Sequence, residues 1–140
     1  MKAVVDSNIF LDYYLDRKDS MLPLGEFAFR FFKEAIECKY LILVCETNIA
    51  ELGRVLRKKQ NDLWKTVFSD LAEANKIRLI KYSEKQLAEA KEISCTKGIP
   101  LNDCLFAVLA RDNKAILISR DKHLNLLPDL ADVRKPEELP

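Results

Sequence analysis

Short apolar runs rich in valine, isoleucine and leucine alternate with longer amphipathic segments along the chain. The runs lack the polar alternation of a half-exposed strand, which predicts strands covered on both faces of a sheet. Alternating strands and helices further predict parallel pairing through right-handed crossovers. The predicted strands are 3–5, 41–44, 77–80 and 115–118, with Val133 a candidate edge strand, and the predicted helices are about 8–16, 24–38, 47–59, 62–75, 84–97, 103–112 and 121–126.

This order of elements predicts a three-layer α/β/α domain with a mostly parallel sheet of four to five strands. The chain has 140 residues, a length that buries about two-thirds of its surface as one unit, so we expect a single domain over 1–140. Its hydrophobic content of 49% and charged content of 32% are typical of a soluble globular protein. The net charge of +1 neither favours nor excludes a nucleic-acid partner.

Composition disfavours a membrane protein and a structural zinc protein. No apolar run approaches the roughly 18 residues of a membrane span, and Asp6 interrupts the opening apolar run too early for a secretory signal. We therefore expect a cytoplasmic protein without a membrane partner. The cysteines at 38, 45, 95 and 104 show no C-x-x-C spacing and His123 is the single histidine, so most of the cysteines are expected in the core.

Four acidic residues stand where a parallel sheet would bring them together. Asp6 ends the first strand, and Asp121 follows the strand 115–118. Glu51 lies on the border of the apolar stripe of its helix, and Asp103 precedes seven apolar residues. Each acid alone has an ordinary explanation as a helix cap, a first-turn acid or a solvated side chain. Because the carboxyl ends of parallel strands meet at one edge of the sheet, all four are predicted to share a pocket.

Such a pocket needs its negative charge balanced. Two carboxylates about 4 Å apart repel by roughly 4 kcal/mol at an effective dielectric constant of about 20. Several pairs of this kind approach the roughly 5–15 kcal/mol that keeps a domain folded. The cluster therefore predicts either bound protons or a divalent cation, and carboxylates without a histidine cluster favour Mg²⁺ or Mn²⁺.

At the segments that carry these acids, the sequence resembles the PIN-domain ribonucleases, especially the VapC-like toxins of type II toxin–antitoxin systems. Ser119 stands where the family often has threonine, and Cys104 where alanine is common. The resemblance implies metal-dependent hydrolysis of RNA phosphodiester bonds with Mg²⁺ or Mn²⁺ as cofactor. It is carried by residues 4–12, 46–52, 99–105, 118–124 and 133–139.

The resemblance also implies roles for individual residues. Asp6 and Asp103 are expected to bind the metal directly. Glu51 and Asp121 are expected to bind a second ion or to orient coordinated water, so that all four acids are both metal-binding and catalytic. Asn8 and Ser119 would hold the carboxylates in place. His123 is expected to be a surface residue without a role, because nothing around it builds a Ser-His-Asp arrangement.

Basic and aromatic residues suggest binding surfaces. Residues 51–65 carry more basic than acidic side chains, and Arg54 and Lys58 are the candidates for contacting RNA phosphates. Core packing does not require all of the phenylalanines in the second helix, so some are expected to form an exposed patch. The resemblance implies a homodimer and a small antitoxin whose tail blocks the acidic pocket. The phenylalanines are Phe27, Phe29, Phe31 and Phe32.

Two other protein classes with an α/β fold fit the sequence less well. A PIN domain with a different role stays open as an alternative. A haloacid-dehalogenase-like phosphatase needs Asp-x-Asp after its first strand, whereas Asn8 stands at the third position. A response-regulator receiver needs an aspartate after the strand 77–80, where Lys81, Tyr82 and Ser83 stand. The open alternative is a PIN domain that acts in RNA processing, or as a non-catalytic RNA-binding or scaffold module.

Overall fold

A computed structural model shows a parallel sheet with helices on both of its faces, and it describes all residues except 38, 60–62 and 74. Over the described residues the sheet has five strands in the order β3-β2-β1-β4-β5, and every neighbouring pair is parallel. The strands are β1 (Lys2–Val5), β2 (Leu41–Val44), β3 (Ile77–Leu79), β4 (Ile116–Ile118) and β5 (Val133–Arg134). The helices are α1 (Ser7–Tyr14), α2 (Leu24–Ile36), α3 (Glu46–Lys58), α4 (Leu63–Glu73), α5 (Glu84–Lys97) and α6 (Leu101–Asp112), with 3₁₀ helices at Lys122–Leu126 and Pro136–Glu138.

Successive side chains of β1 enter two separate cores. Ala3 and Val5 pack into the core formed with α1, α2, α3 and α4. Val4, between them, packs into the core formed with α5, α6 and the first 3₁₀ helix. Because successive side chains of a strand point to opposite faces, both sets must be apolar when both faces are covered. This arrangement confirms the predicted three-layer α/β/α fold.

The predicted elements are present with shifted ends. The helix predicted from 103 begins at Leu101, because Pro100, with φ fixed near −52°, ends the preceding extended segment directly before it. The segment predicted as a helix over 121–126 is a 3₁₀ helix. Positions 62 and 74, near the two ends of the helix predicted over 62–75, lie outside the described residues. Cys45 and Cys104 are buried and Cys95 is exposed, whereas the cysteine at 38 also lies outside the described part.

The turn between α5 and α6 sets the start of the helix that carries Asp103. Gly98 ends α5 in the left-handed region at φ 69°, which residues with a Cβ atom rarely adopt. Ser94 Oγ then donates a 2.6 Å hydrogen bond to the Ile99 carbonyl, which holds the turn against the end of α5. Asp103 consequently lies in the first turn of α6, at the carboxyl edge of the sheet.

No helix within the described part of the chain is long and apolar enough to cross a membrane.

Candidate metal centre

Asp6 lies between two neighbouring strands at the carboxyl edge of the sheet. Its side chain is 5% exposed and caps α1 by accepting a 3.3 Å hydrogen bond from the Asn8 backbone N–H at Oδ1. Its other oxygen, Oδ2, accepts a 2.8 Å hydrogen bond from Ser119 Oγ, just beyond β4. Both oxygens are therefore fixed by the backbone turn of one strand and the hydroxyl group of the next.

Asp103 and Asp121 form a second pair at the same edge, with one oxygen of each within 4.8 Å of the other. Burial raises the pKa of Asp103 to about 8, together with the hydrogen bond to Asp121 and the charges of Asp121, Asp6 and Glu51. Burial acts to raise the pKa of Asp121, but interactions with Asp103 and with His123 outweigh it and lower this pKa. Of the two carboxyl groups, Asp103 is therefore the one whose neutral form is favoured.

Glu51, half-buried on α3, completes the group of four acids. Its negative charge adds to the burial that raises the pKa of Asp6 and also raises the pKa of Asp103. Among the described residues, no lysine or arginine forms an ion pair with any of the four acids. Burial and mutual repulsion thus act on Asp6 and Asp103 without a paired lysine or arginine in the described part of the chain.

His123 also reaches this cluster, which sequence reasoning missed. Its side chain is 56% exposed, as a surface residue would be, but Nδ1 lies 2.8 Å from Asp121 Oδ1. One ligand atom from each of Asp103, Asp121 and His123 lies within 4.8 Å of the others. The local signal was the capping turn itself, in which Asp121 accepts a 2.9 Å hydrogen bond from the His123 backbone N–H and so brings the ring close to its carboxylate.

Asn48 is a second residue whose position sequence reasoning missed. It is fully buried in the first turn of α3, and its Oδ1 accepts a 2.9 Å hydrogen bond from the Cys45 backbone N–H. Its Nδ2 donates to the Val5 carbonyl at 3.2 Å and to Ser7 Oγ at 3.0 Å, on either side of Asp6. One amide therefore ties the helix that carries Glu51 to the turn that carries Asp6.

The remaining predicted residues lie at the rim of the cluster or away from it. The backbone N–H of Asn8 supports the Asp6 carboxylate, whereas its side-chain Oδ1 accepts a 3.4 Å hydrogen bond from Arg17. Arg54 and Lys58 are exposed on α3.

The predicted aromatic patch is smaller than expected. Phe31 and Phe32 are core residues, and the ring of Phe27 lies 5.9 Å from the Arg120 guanidinium carbon. Phe29 is 49% exposed.

The donor set fits a hard divalent cation. Mg²⁺ and Mn²⁺ prefer carboxylate oxygens, and Asp103 and Asp121 each place one within 4.8 Å of the other and of a His123 ring nitrogen. The oxygens of Asp6 are oriented by Ser119 and by the Asn8 backbone N–H. Asp103, Asp121 and His123 are therefore the described residues whose ligand atoms lie close enough to hold one ion. Binding of the ion by Asp6 and Glu51 stays a prediction.

Comparison with solved structures shows the same fold in several toxin–antitoxin proteins. VapBC2 from Rickettsia felis, bound to a DNA fragment from its promoter, aligns with a TM-score of 0.66 at 18% identity over 96% of this chain and 98% of that chain. A toxin–antitoxin complex from Klebsiella pneumoniae aligns with a TM-score of 0.63 at 18% identity over 96% and 97%. FitAcB from Neisseria gonorrhoeae aligns with a TM-score of 0.62 at 18% identity over 98% and 99%.

The sequence itself points to one family. No protein with a curated function is a significant match to it. The PIN domain model, however, matches residues 3–130, which include all four acids and His123. This match spans nearly the whole chain, and the parallel sheet with its carboxyl-edge acids agrees with it. The chain therefore belongs to the PIN domain family.

Proposed function

We propose that this protein is a metal-dependent ribonuclease, the VapC-like toxin of a toxin–antitoxin pair, formed by residues 1–140 as a single PIN domain. The observation that carries the proposal is the placement of Asp103, Asp121 and His123, with ligand atoms within 4.8 Å of one another, at the sheet edge that also holds Asp6. Membership of the PIN family and the fold shared with toxin–antitoxin proteins support it. A PIN domain of RNA processing, or one that binds RNA without cutting it, is the alternative that the experiments below distinguish.

In the proposed reaction, the four acids divide into two pairs with different roles. Asp6 and Asp103 would hold Mg²⁺ or Mn²⁺, Asp6 being fixed by Ser119 and Asp103 by the buried first turn of α6. When bound, the ion lowers the pKa of a coordinated water and neutralises charge on the phosphate. Glu51 and Asp121 would orient that water or hold a second ion. Asp121 is itself held by His123 and by the Ser119 hydroxyl group, which accepts its backbone N–H at 3.1 Å.

The substrate must approach a negatively charged cluster, so cationic side chains have to border it. Arg54 and Lys58 are exposed on α3, the helix that also carries Glu51, and we propose that they contact phosphate groups of the RNA. We further propose a cytoplasmic protein that binds a small antitoxin and forms a homodimer. The proposal of partners rests on the likeness in fold to toxin–antitoxin complexes and on the half-exposed Phe29.

The direct test is RNA cleavage by purified protein with Mg²⁺ or Mn²⁺, comparing the wild type with Asp6→Asn and Asp103→Asn. These changes keep the side-chain shape but remove a charged ligand, so we expect each to lower the cleavage rate by more than about 100-fold, beyond the effect of residues that only support a ligand. EDTA should abolish cleavage by the wild type.

Glu92→Gln is the matched control, because Glu92 is an exposed acid on α5 away from the cluster. This variant should cleave as the wild type does. Cleavage at an unchanged rate by Asp6→Asn and Asp103→Asn would exclude the proposed mechanism. RNA binding without cleavage by the wild type would favour the non-catalytic alternative.

A further inference from the structure

A cleft of about 290 Å³ opens beside the carboxyl cluster, at the ends of β4 and β5. It shares Ser119 and Asp121 with the cluster, so the cleft and the cluster are adjacent. The rest of its wall comes from the first 3₁₀ helix and the chain that follows β5. Its further lining residues are Arg120, Lys122, Asn125, Val133, Arg134, Lys135 and Glu138.

Positive charge dominates this cleft. Four of its lining side chains are cationic and two, Asp121 and Glu138, are anionic. Arg134 is paired with Asp132 at 3.1 Å, outside the lining. Lys122 and Lys135 are exposed, and neither forms an ion pair with any of the described residues. These two ammonium groups are therefore available to an anion that enters the cleft.

We propose that this cleft binds a backbone phosphate of the RNA next to the bond that is cut, with Lys122 and Lys135 as its ligands. The inference rests on the proposed ribonuclease function, and it assigns a binding subsite that the four acids do not themselves supply. A phosphate is favoured over other anions because Asp121 belongs both to the cleft lining and to the acidic cluster, where the scissile phosphate of the same strand would lie. Lysine contacts of this kind position a strand without reading its bases.

The order of the strands suggests how an RNA strand would cross this edge of the sheet. The cleft lies beyond β4, whereas Arg54 and Lys58 lie on α3, which follows β2 on the other side of β1. Strands are spaced by about 4.8 Å, so roughly 15 Å separate β2 from β5 across the sheet edge. A single RNA strand that crosses this edge from the side of α3 to the cleft would pass the acids beyond β1 and β4 on its way.

The test measures binding of a short single-stranded RNA of about ten nucleotides to the Asp103→Asn protein in EDTA, so that no strand is cut. In this background we compare the double change Lys122→Ala/Lys135→Ala with Lys33→Ala/Lys91→Ala, which removes the same charge from α2 and α5. Lys33 and Lys91 are exposed and form no ion pair within the described chain. Melting temperatures of both double variants check that each is folded.

Loss of both lysine contacts to this phosphate should weaken binding by about 10-fold near 0.1 M salt and reduce the slope of log K against log salt by about 0.7, whereas the control should change neither. Equal affinities of the two double variants would overturn the proposal. So would a cleft variant that loses binding of a hexaglutamate peptide but keeps its RNA affinity, because the cleft would then be a site for an acidic peptide.

The same measurements separate this proposal from the proposed enzyme function. If the wild type cuts no RNA in Mn²⁺ but the cleft variant still binds RNA more weakly than its control, the ribonuclease function fails and the phosphate site stands. If the wild type cuts RNA and the two double variants bind equally, only the phosphate site fails. With cleavage intact, the cleft variant should also show a raised KM at an unchanged kcat.

Discussion

At the residue scale, the carboxyl group of Asp103 keeps its proton to a pH at which a free aspartate is ionised. Burial and the neighbouring acids raise its pKa to about 8 from an ordinary value of 3.8. Burial, reinforced by the charges of Glu51 and Asp121, also raises the pKa of Asp6. These shifts arise because three other carboxyl groups share one partly buried edge of the sheet with Asp103. The same crowding that disfavours ionisation makes the group a strong potential ligand for a cation.

The raised pKa values predict that the metal-free protein loses stability as pH rises from about 5 to 8. Between the ordinary value of 3.8 and the folded value of about 8, folded Asp103 holds a proton that the unfolded chain releases. Since the folded state binds more protons, the free energy of unfolding falls as pH increases. Asp6 and Asp12, whose pKa values are also raised chiefly by burial, add to the trend in the same direction. Urea unfolding in EDTA at several pH values measures it.

Manganese should oppose this loss. Because the ion replaces a proton, and because binding only the folded state stabilises it, the rise in melting temperature at millimolar Mn²⁺ should be larger at pH 8 than at pH 6. In Asp103→Asn, both the pH dependence of stability and the gain from Mn²⁺ should be smaller. A wild type whose free energy of unfolding is constant from pH 5 to 8 would contradict the raised pKa of Asp103.

At the element scale, the relative placement of α3 and the β1–α1 turn depends on Asn48. Its side chain satisfies the Cys45 N–H at the start of α3 and the Val5 carbonyl at the end of β1. Glu51 is one helical turn further along α3, so the distance between Glu51 and Asp6 is set through this amide. Asn48 is thus a positioning residue for two of the acids.

Asn48→Ala is expected to lower both stability and metal affinity. Removing the amide leaves buried backbone groups without partners, at a cost of about 1–3 kcal/mol each. The looser placement of Glu51 should weaken Mn²⁺ binding by about 10- to 100-fold, as loss of a residue that supports a ligand does. Urea unfolding and calorimetric titration with Mn²⁺ measure the two effects.

Asn113→Ala provides the comparison, because Asn113 also bonds a backbone carbonyl, that of Leu109 at 2.8 Å, but lies at the far end of α6. It should lower stability without changing the affinity for Mn²⁺. Equal affinities for Mn²⁺ in the two variants would show that Asn48 stabilises the fold without positioning the metal ligands.

At the scale of the whole molecule, Arg120 joins parts of the chain that are remote in sequence. Its Nε donates to Asp12 Oδ2 on α1 at 3.0 Å, and its Nη1 donates to Glu137 in the last 3₁₀ helix at 2.7 Å. Nη2 is buried without a hydrogen-bond partner among the described residues. Because Arg120 is flanked by Ser119 and Asp121, this network also anchors the turn that carries two members of the cluster.

Arg120→Ala should destabilise the protein by about 1–3 kcal/mol, because the buried Asp12 carboxylate loses its closest cation while Arg17 stays 3.7 Å away. Urea unfolding at neutral pH checks this value. Arg30→Ala is the control, since Arg30 and Glu26 form an exposed pair on α2 that contributes only about 0.3–0.5 kcal/mol. Similar losses in the two variants would contradict a structural role for the buried network.

Much of the architecture followed from local patterns. Uninterrupted apolar runs predicted strands covered on both faces, and the sheet confirms this with β1, whose successive residues enter two cores. The ends of elements were harder to predict, since the start of α6 at Leu101 and the 3₁₀ form of Lys122–Leu126 depend on neighbouring turns. Among the phenylalanines of α2, periodicity alone could not tell that Phe31 and Phe32 are buried while Phe29 is half-exposed.

Local sequence patterns were enough to predict the order of strands and helices and the acids beside them, because these depend on the periodicity and chemistry of neighbouring residues. Which side chains meet depends on the fold. Ser119 supports Asp6 across 113 positions of the chain, and Asn48 reaches Ser7 across 41. The raised pKa of Asp103, the approach of His123 and the cationic cleft likewise depend on distances between separate segments. Burial and electrostatic energies follow those distances, and no local pattern encodes them.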